Sequence, residues 1–282
     1  MHGSLLEEGA EVRLPGRIII YAILTLFAIF YLLPFWTVFT TALKNDIEVR
    51  TTIPIAPPSQ PTIDPLGRAL NAISQGLFNS LIFTSVATVL STIIGSVNGF
   101  ALTRIRFRYS DLVFFLLTLG IFIPYHAVII PLIIVTKNLG LFNSILGMSI
   151  VHTIYGIPIC TLFFRNFYGE IPESIINAAR IDGAGLLRIY FNIALPVSWP
   201  AFVVTGVFQF TSIWNDLLFG LILTRGMNQP ASVVLANLLG TTSAEWNVQM
   251  AGTLIYALPV IIVYVVLGKY LIRGYLSGAV KG

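Results

Sequence analysis

Charge is scarce in this sequence. Of its 282 residues only 10% are Asp, Glu, Lys or Arg, whereas 56% are hydrophobic, and soluble domains carry roughly 25% charge. Mean hydropathy is +0.87, so a water-soluble fold is excluded. Cysteine is nearly absent: Cys160 stands alone inside an apolar block, which rules out an intrachain disulfide and a cysteine-based metal cluster. The three histidines, His2, His126 and His152, lie at no ligand spacing, so the latter two are read as core or interface residues rather than metal ligands. The sole Gly-Lys pair, Gly268-Lys269, precedes Tyr270 and stands outside any phosphate-loop pattern. No Ser-His-Asp or Cys-His set gathers in a soluble region, which leaves an enzyme reading without support. A net charge of +4 is spread between apolar blocks with no basic face, which argues against nucleic acid.

What the chain has in quantity is long uncharged stretches. No Asp, Glu, Lys or Arg lies between Arg17 and Lys44, Arg68 and Arg104, Asp111 and Lys137, or Asn138 and Arg165. Each window exceeds the roughly 20 residues a helix needs to cross hydrocarbon. A fifth runs from Val197 to about Leu223, broken only by Asp216, and a sixth from about Met250 to Leu267. The expected fold is an all-α polytopic membrane protein with six transmembrane helices. Asn71, Ser74, Gln75 and Gly76 place the start of the second helix near Leu77. The first stretch is too long for a signal-peptide core and lacks a small-x-small exit, so it reads as an uncleaved helix. Pro34, Pro124, Pro131, Pro158 and Pro259 are expected to kink or interrupt helices.

Alternate loops divide the basic residues unevenly. One side holds Arg13, Arg17, Arg104, Arg106, Arg108, Arg165, Arg180, Arg188, Lys269, Arg273 and Lys281; the other holds Lys44, Arg50, Arg68, Lys137 and Arg225. By the positive-inside rule both termini are cytoplasmic. Residues 1–76 then form a first helix and an outer loop, and 77–282 a membrane core. Pro54, Pro57, Pro58, Pro61 and Pro65 predict that the outer loop is extended rather than packed.

The inner loop from Glu170 to Pro196 reads as two short helices with a bend. Pro172 and Glu173 suit a helix start, and Ile175, Ile176, Ala179 and Ile181 give it an apolar face. Asp182 reads as the N-cap of the second helix, Gly183 as the turn, and Leu186, Leu187, Tyr190 and Phe191 as a continuing apolar stripe. The run Asn177-Ala178-Ala179, three residues, Gly183, nine residues, Ile193-Ala194-Leu195-Pro196 resembles the EAA loop of binding-protein-dependent ABC importer permeases, with Asn177 where the family has Glu. The resemblance implies a type I importer permease fold. It also implies that Asn177, Ala178, Ala179, Asp182, Gly183, Ala184 and Pro196 couple the chain to a separate ATPase subunit. Small residues there let a helix approach a partner closely, and Ile175, Ile176 and Ile181 are suited to fill its pocket.

Further stretches are similar to the maltose-type carbohydrate permeases: Asn79-Ser80-Leu81, Ala101 to Phe107, Pro124 with Pro131-Leu132, Asn138 to Leu141, Trp214-Asn215-Asp216, and the ending Gly278-Ala279-Val280-Lys281-Gly282. In that family the tail, here 273–282 with Gly278, Ala279 and Lys281, reaches between the ATPase subunits. The implied partners are a second homologous permease, two ABC ATPase subunits and an extracytoplasmic sugar-binding protein, with membrane lipid around them. ATP and Mg act in the ATPases, no cofactor belongs to this chain, and the location is the cell membrane. A permease for glycerol phosphate, polyamines or peptides is the alternative within transport; an ion-coupled secondary carrier or a purely structural subunit is the alternative outside it.

Asp216 is the one acid within an apolar block, and at mid-bilayer it costs about 2.5 to 3.5 kcal/mol on insertion scales. It must face protein or water, either lining the solute pathway or bonding a neighbouring helix. Asn98, Gln209 and Asn215 share those alternatives, with Trp214 as an aromatic wall for sugar. Gly95 and Gly99 form a small-xxx-small pair suited to close helix packing.

Overall fold

The computed structural model describes residues 14–105, 108–238 and 245–279, and among these every regular element is helical. The order is α1 (Leu14–Ala42), α2 (Glu48–Thr51), α3 (Asp64–Arg104), α4 (Ser110–Leu119), α5 (Tyr125–Asn138), α6 (Ile145–Gly169), α7 (Glu173–Ile181), α8 (Leu186–Ile189), a π turn over Tyr190–Ala194, α9 (Leu195–Val197), α10 (Trp199–Trp214), α11 (Leu218–Leu223), α12 (Ala231–Asn237) and α13 (Trp246–Ala279). Four segments are long and apolar enough to cross a membrane: Gly16–Ala42, Asp64–Arg104, Ile145–Gly169 and Trp246–Tyr270. Two bent pairs bring the number to six if each is one crossing: Ser110–Phe122 with Tyr125–Asn138 at 97°, and Leu186–Val197 with Trp199–Trp214 at 72°.

The bends have local causes. Proline disfavours helical backbone in the residue before it; Ile123 is extended at ψ 116° and Pro124 follows at ψ 130°, so the helix cannot pass through. Pro34, Pro131, Pro158 and Pro259 instead sit inside continuous helices. Pro196 lacks an N–H and crowds the carbonyl four residues back, and the π turn immediately before it is the wider winding such crowding favours.

The chain divides into two compact units, one holding residues up to Ala69 with Glu245–Leu254, the other Leu70 onward and the rest of α13. In the first, the proline-rich segment lies at the surface as expected, but it is pinned back to Thr40, Lys44 and Glu48 rather than freely extended. Lys44 is fully buried, and its Nζ donates to Thr52 Oγ1 at 2.9 Å and to the Ile53 carbonyl at 2.8 Å. Glu48 Oε1 accepts from Ser59 N at 2.5 Å and Ser59 Oγ at 2.8 Å, which holds its carboxyl below the usual glutamate range. Arg68 ties Asp46, Asp64 and Glu245 together. Prolines restrict the backbone of this segment, but its bonds to the buried Lys44 and Glu48 decide its shape. The helix expected near Leu77 begins at Asp64: an acid followed by Pro65 is a good first turn, and the polar residues through Gln75 extend the helix beyond its apolar length.

In the second unit, α3 and α6 touch along a seam of small residues. A Cβ on Gly95 would lie 2.4 Å from Cys160 Cβ, and one on Gly99 would lie 2.7 Å from Phe164 Cβ. The small-xxx-small spacing is therefore used for backbone approach. Two apolar clusters flank the seam, one around Phe100, Phe164, Tyr168, Ile176 and Tyr190 and one around Phe83, Met148, Val151, Ile213 and Phe219.

Candidate functional site

The segment 170–196 is built from its turn outward. α7 ends in paired reverse bonds: Ala184 N donates to the Ala179 carbonyl at 2.9 Å and Gly183 N to the Arg180 carbonyl at 3.0 Å. That is a Schellman closure, whose C′ residue must take left-handed backbone, and Gly183 has φ +79°. A Cβ there meets nothing within 4 Å, so conformation rather than space requires glycine. Asp182 occupies the C-terminal end of α7, φ −71° and ψ 5°, and Gly185 rather than Asp182 precedes α8; the expected N-cap role is corrected. The glycine closure was legible, but Asp182 next to glycine has two readings and backbone bonding selects the other one.

One face of this segment is anchored and the other is bare. Ile176, Ile189, Tyr190 and Ala194 are buried in the cluster with Phe164 and Tyr168, so Ile176 faces the chain's own core, contrary to the expected pocket-filling role. Ile181 is 87% and Leu187 75% exposed, with Ile175 half exposed. Asn177, Ala178, Asp182, Gly183 and Pro196 are exposed as well, and Ala179 and Ala184 partly so. A buried hydroxyl web stiffens the root: Ser96 Oγ bonds Tyr168 OH at 2.6 Å and Tyr190 OH at 2.9 Å, and Tyr168 OH donates to Ser198 Oγ at 3.1 Å. Arg104, read in sequence as one of a basic cluster, is 8% exposed and donates to the carbonyls of Tyr168 and Ile171. Burial of Arg104 and of the two tyrosine hydroxyls has no one-residue signal in sequence, which is why this root was not foreseen.

The second feature is a cavity of about 510 Å³ among α5, α6, α10 and the start of α11. Gln209, Asn215 and Asp216 all line it, with Tyr125, His152 and Tyr155. Asp216 sits in the break after α10, where its Oδ2 accepts from Phe219 N, in the first turn of α11, at 3.0 Å. Trp214 and Asn98 do not line it. Trp214 is 1% exposed, stacks on Phe210 and Tyr256, and exchanges bonds with Tyr256, Nε1 donating to the Tyr256 carbonyl at 3.2 Å and Tyr256 OH donating to the Trp214 carbonyl at 2.6 Å. Its role as a wall for solute is thereby corrected to a link between α10 and α13. Asn98 is half-buried on α3. Gly278 and Ala279 fall in the last turn of α13, and Lys281 lies outside the described residues.

The profile of the family described as the binding-protein-dependent transport system inner membrane component matches residues 87–276. A probable ABC transporter permease protein of Pyrococcus horikoshii is 50% identical, over 95% of this chain and 98% of its own. A xylose/arabinose import permease protein of Haloferax volcanii is 33% identical, over 95% and 94%. A chain from the crystal structure of a bacterial ABC transporter involved in the import of alginate superposes with a TM-score of 0.73 at 24% identity, covering 90% of this chain and 95% of that one.

Proposed function

The chain belongs to the inner membrane components of binding-protein-dependent transport systems, and from that premise we propose that it forms half of the translocation pathway of an ATP-driven sugar importer. It is a multi-pass ABC transporter permease, a transport subunit rather than an enzyme. Sugar as cargo is supported by the xylose/arabinose permease, which aligns over nearly its whole length. In this reading Ser110–Phe122 with Tyr125–Asn138 is one crossing and α10 is another, which with the four long helices makes six. Both termini and segment 170–196 are cytoplasmic, with eleven basic residues on that side against five on the other.

The observation that carries the reading is the asymmetry of α7 and α8: anchored at Ile176, Ile189 and Tyr190, bare at Ile181 and Leu187. A helix held at its root and apolar at its tip transmits force from whatever grips the tip. Two ATPase subunits closing on ATP would draw this segment and its counterpart on a second permease together, and the root would pass the movement to α3, α6 and α10. An extracytoplasmic binding protein would deliver the solute, which passes Gln209, Asn215 and Asp216; the 273–282 tail reaches the ATPases. Replacing Gly183 by Trp, at φ +79°, is expected to abolish ATP-dependent uptake in the reconstituted transporter. Unchanged uptake by that variant would overturn the lever.

A further inference from the structure

His152 is the residue of the cavity with the least reason to be polar. It is buried on α6, stacked on Phe83 with ring centroids 5.5 Å apart and 10° between planes, and edge-on to Phe219. A phenyl ring would satisfy both contacts. Yet its Nε2 is buried with no hydrogen-bond partner, and a buried polar atom left unpaired is costly. The nearest charged atom is Asp216 Oδ2 at 3.7 Å, too far for a direct hydrogen bond. It is near enough for one further oxygen to lie within bonding distance of both. Both residues line the cavity.

The surrounding chemistry suits a hydroxyl on a solute as that oxygen. Tyr125, Tyr155 and Phe219 form an aromatic group with centroids 5.0 to 5.5 Å apart, and the two tyrosines and Phe219 line the same space. Aromatic faces with a few convergent polar groups suit a ring that is apolar on its C–H faces and polar at its rim. A hydroxyl donates and accepts at once, so a single one accepts from Nε2–H and donates to the carboxylate. A carboxylate or phosphate would instead meet Asp216 as a like charge.

We propose that His152 and Asp216 form a clamp for one hydroxyl of a neutral sugar, with Tyr125 and Tyr155 as its aromatic wall. The proposal rests on the sugar-importer reading and goes beyond it by assigning the contact to this chain and the recognition to a pair. Two variants separate recognition from structure. His152→Phe keeps the stack on Phe83 and removes the nitrogen; Asp216→Asn keeps a side-chain oxygen to accept from Phe219 N. The full transporter, with partner permease, ATPases and binding protein, is reconstituted in proteoliposomes and tested for ATP-driven uptake of labelled D-xylose, D-glucose and maltose. Each variant is expected to assemble with the ATPases and to lose uptake by about tenfold or more, the loss of a charge-assisted contact, and the double variant to lose little beyond either single one. Uptake by both single variants at the parental rate overturns the clamp and leaves the sugar reading standing. Failure of both to assemble overturns it too, by making the pair structural. Parental vesicles that accumulate none of the three sugars overturn the sugar reading and the clamp with it.

Discussion

Arg104 donates from the end of α3 to carbonyls at the end of α6 and the approach to α7, so one buried guanidinium joins three elements. Its five donors in a planar fork suit two diverging carbonyls, and lysine offers a single point charge. Arg104→Leu should destabilise the protein by about 3 kcal/mol or more, by leaving both carbonyls unpaired in a buried setting, with Arg104→Lys recovering part; thermal unfolding in detergent reads both. In the other unit, Lys44 holds Thr52 and the Ile53 carbonyl, and Lys44→Met should cost about 2 kcal/mol. Asp46 is held below its ordinary value of 3.8, first by the Asn247 amide donating to it at 2.8 Å, with Arg68 reinforcing against desolvation. A depressed carboxylate contributes stability above its unfolded pKa, and that contribution fades as pH falls through the lower folded value. Protease sensitivity at Arg50 should therefore rise as pH drops below about 4, and Asn247→Ala should start that rise at higher pH. Counting charges in the sequence located Lys44, Arg68 and Arg104 in loops or at helix ends. What each one holds depends on neighbours distant along the chain, and composition carries no record of those.

At the scale of elements, α7 is the best-resolved sequence reading. Pro172 before Glu173, an apolar face and Gly183 past the end mark its bounds, and the helix runs Glu173–Ile181. Left-handed backbone costs an L-residue roughly 1 to 2 kcal/mol, so Gly183→Ala should weaken the closure by that amount, read by unfolding, with coupling retained better than in the Trp variant. The α3–α6 seam makes a harsher test. Gly95→Leu puts a side chain where even a Cβ meets Cys160 at 2.4 Å, and the variant should fail to accumulate in the membrane, whereas Gly67→Leu, where a Cβ meets nothing within 4 Å, should be tolerated. The prolines were informative in kind but not in degree. Pro124 breaks a helix at 97° while Pro131, seven residues on, does not, because a proline bends a helix only where neighbouring contacts leave the freed carbonyl satisfied another way.

For the whole molecule, hydropathy windows located the four long apolar helices among the described residues, since lipid demands a residue type over a length and the sequence states both. The windows did not show that the third would bend at Ile123 and Pro124, that the fifth would divide into α10 and α11, nor that the polar run before Leu77 would continue α3. They read His152 as a core or interface residue, which its burial bears out, but they carried no sign that Asp216 would lie 3.7 Å away. The proposed lever requires that α7 and α8 present their bare tip to an ATPase on the cytoplasmic side. It is tested most directly by a photo-crosslinking residue at Ile181, 87% exposed, with Ile47, 76% exposed, as the opposite-side control. In membranes containing the assembled transporter, the probe at Ile181 is expected to join this chain to the ATPase subunit and the probe at Ile47 is not; an ATPase adduct from Ile47, or none from Ile181, would overturn the lever.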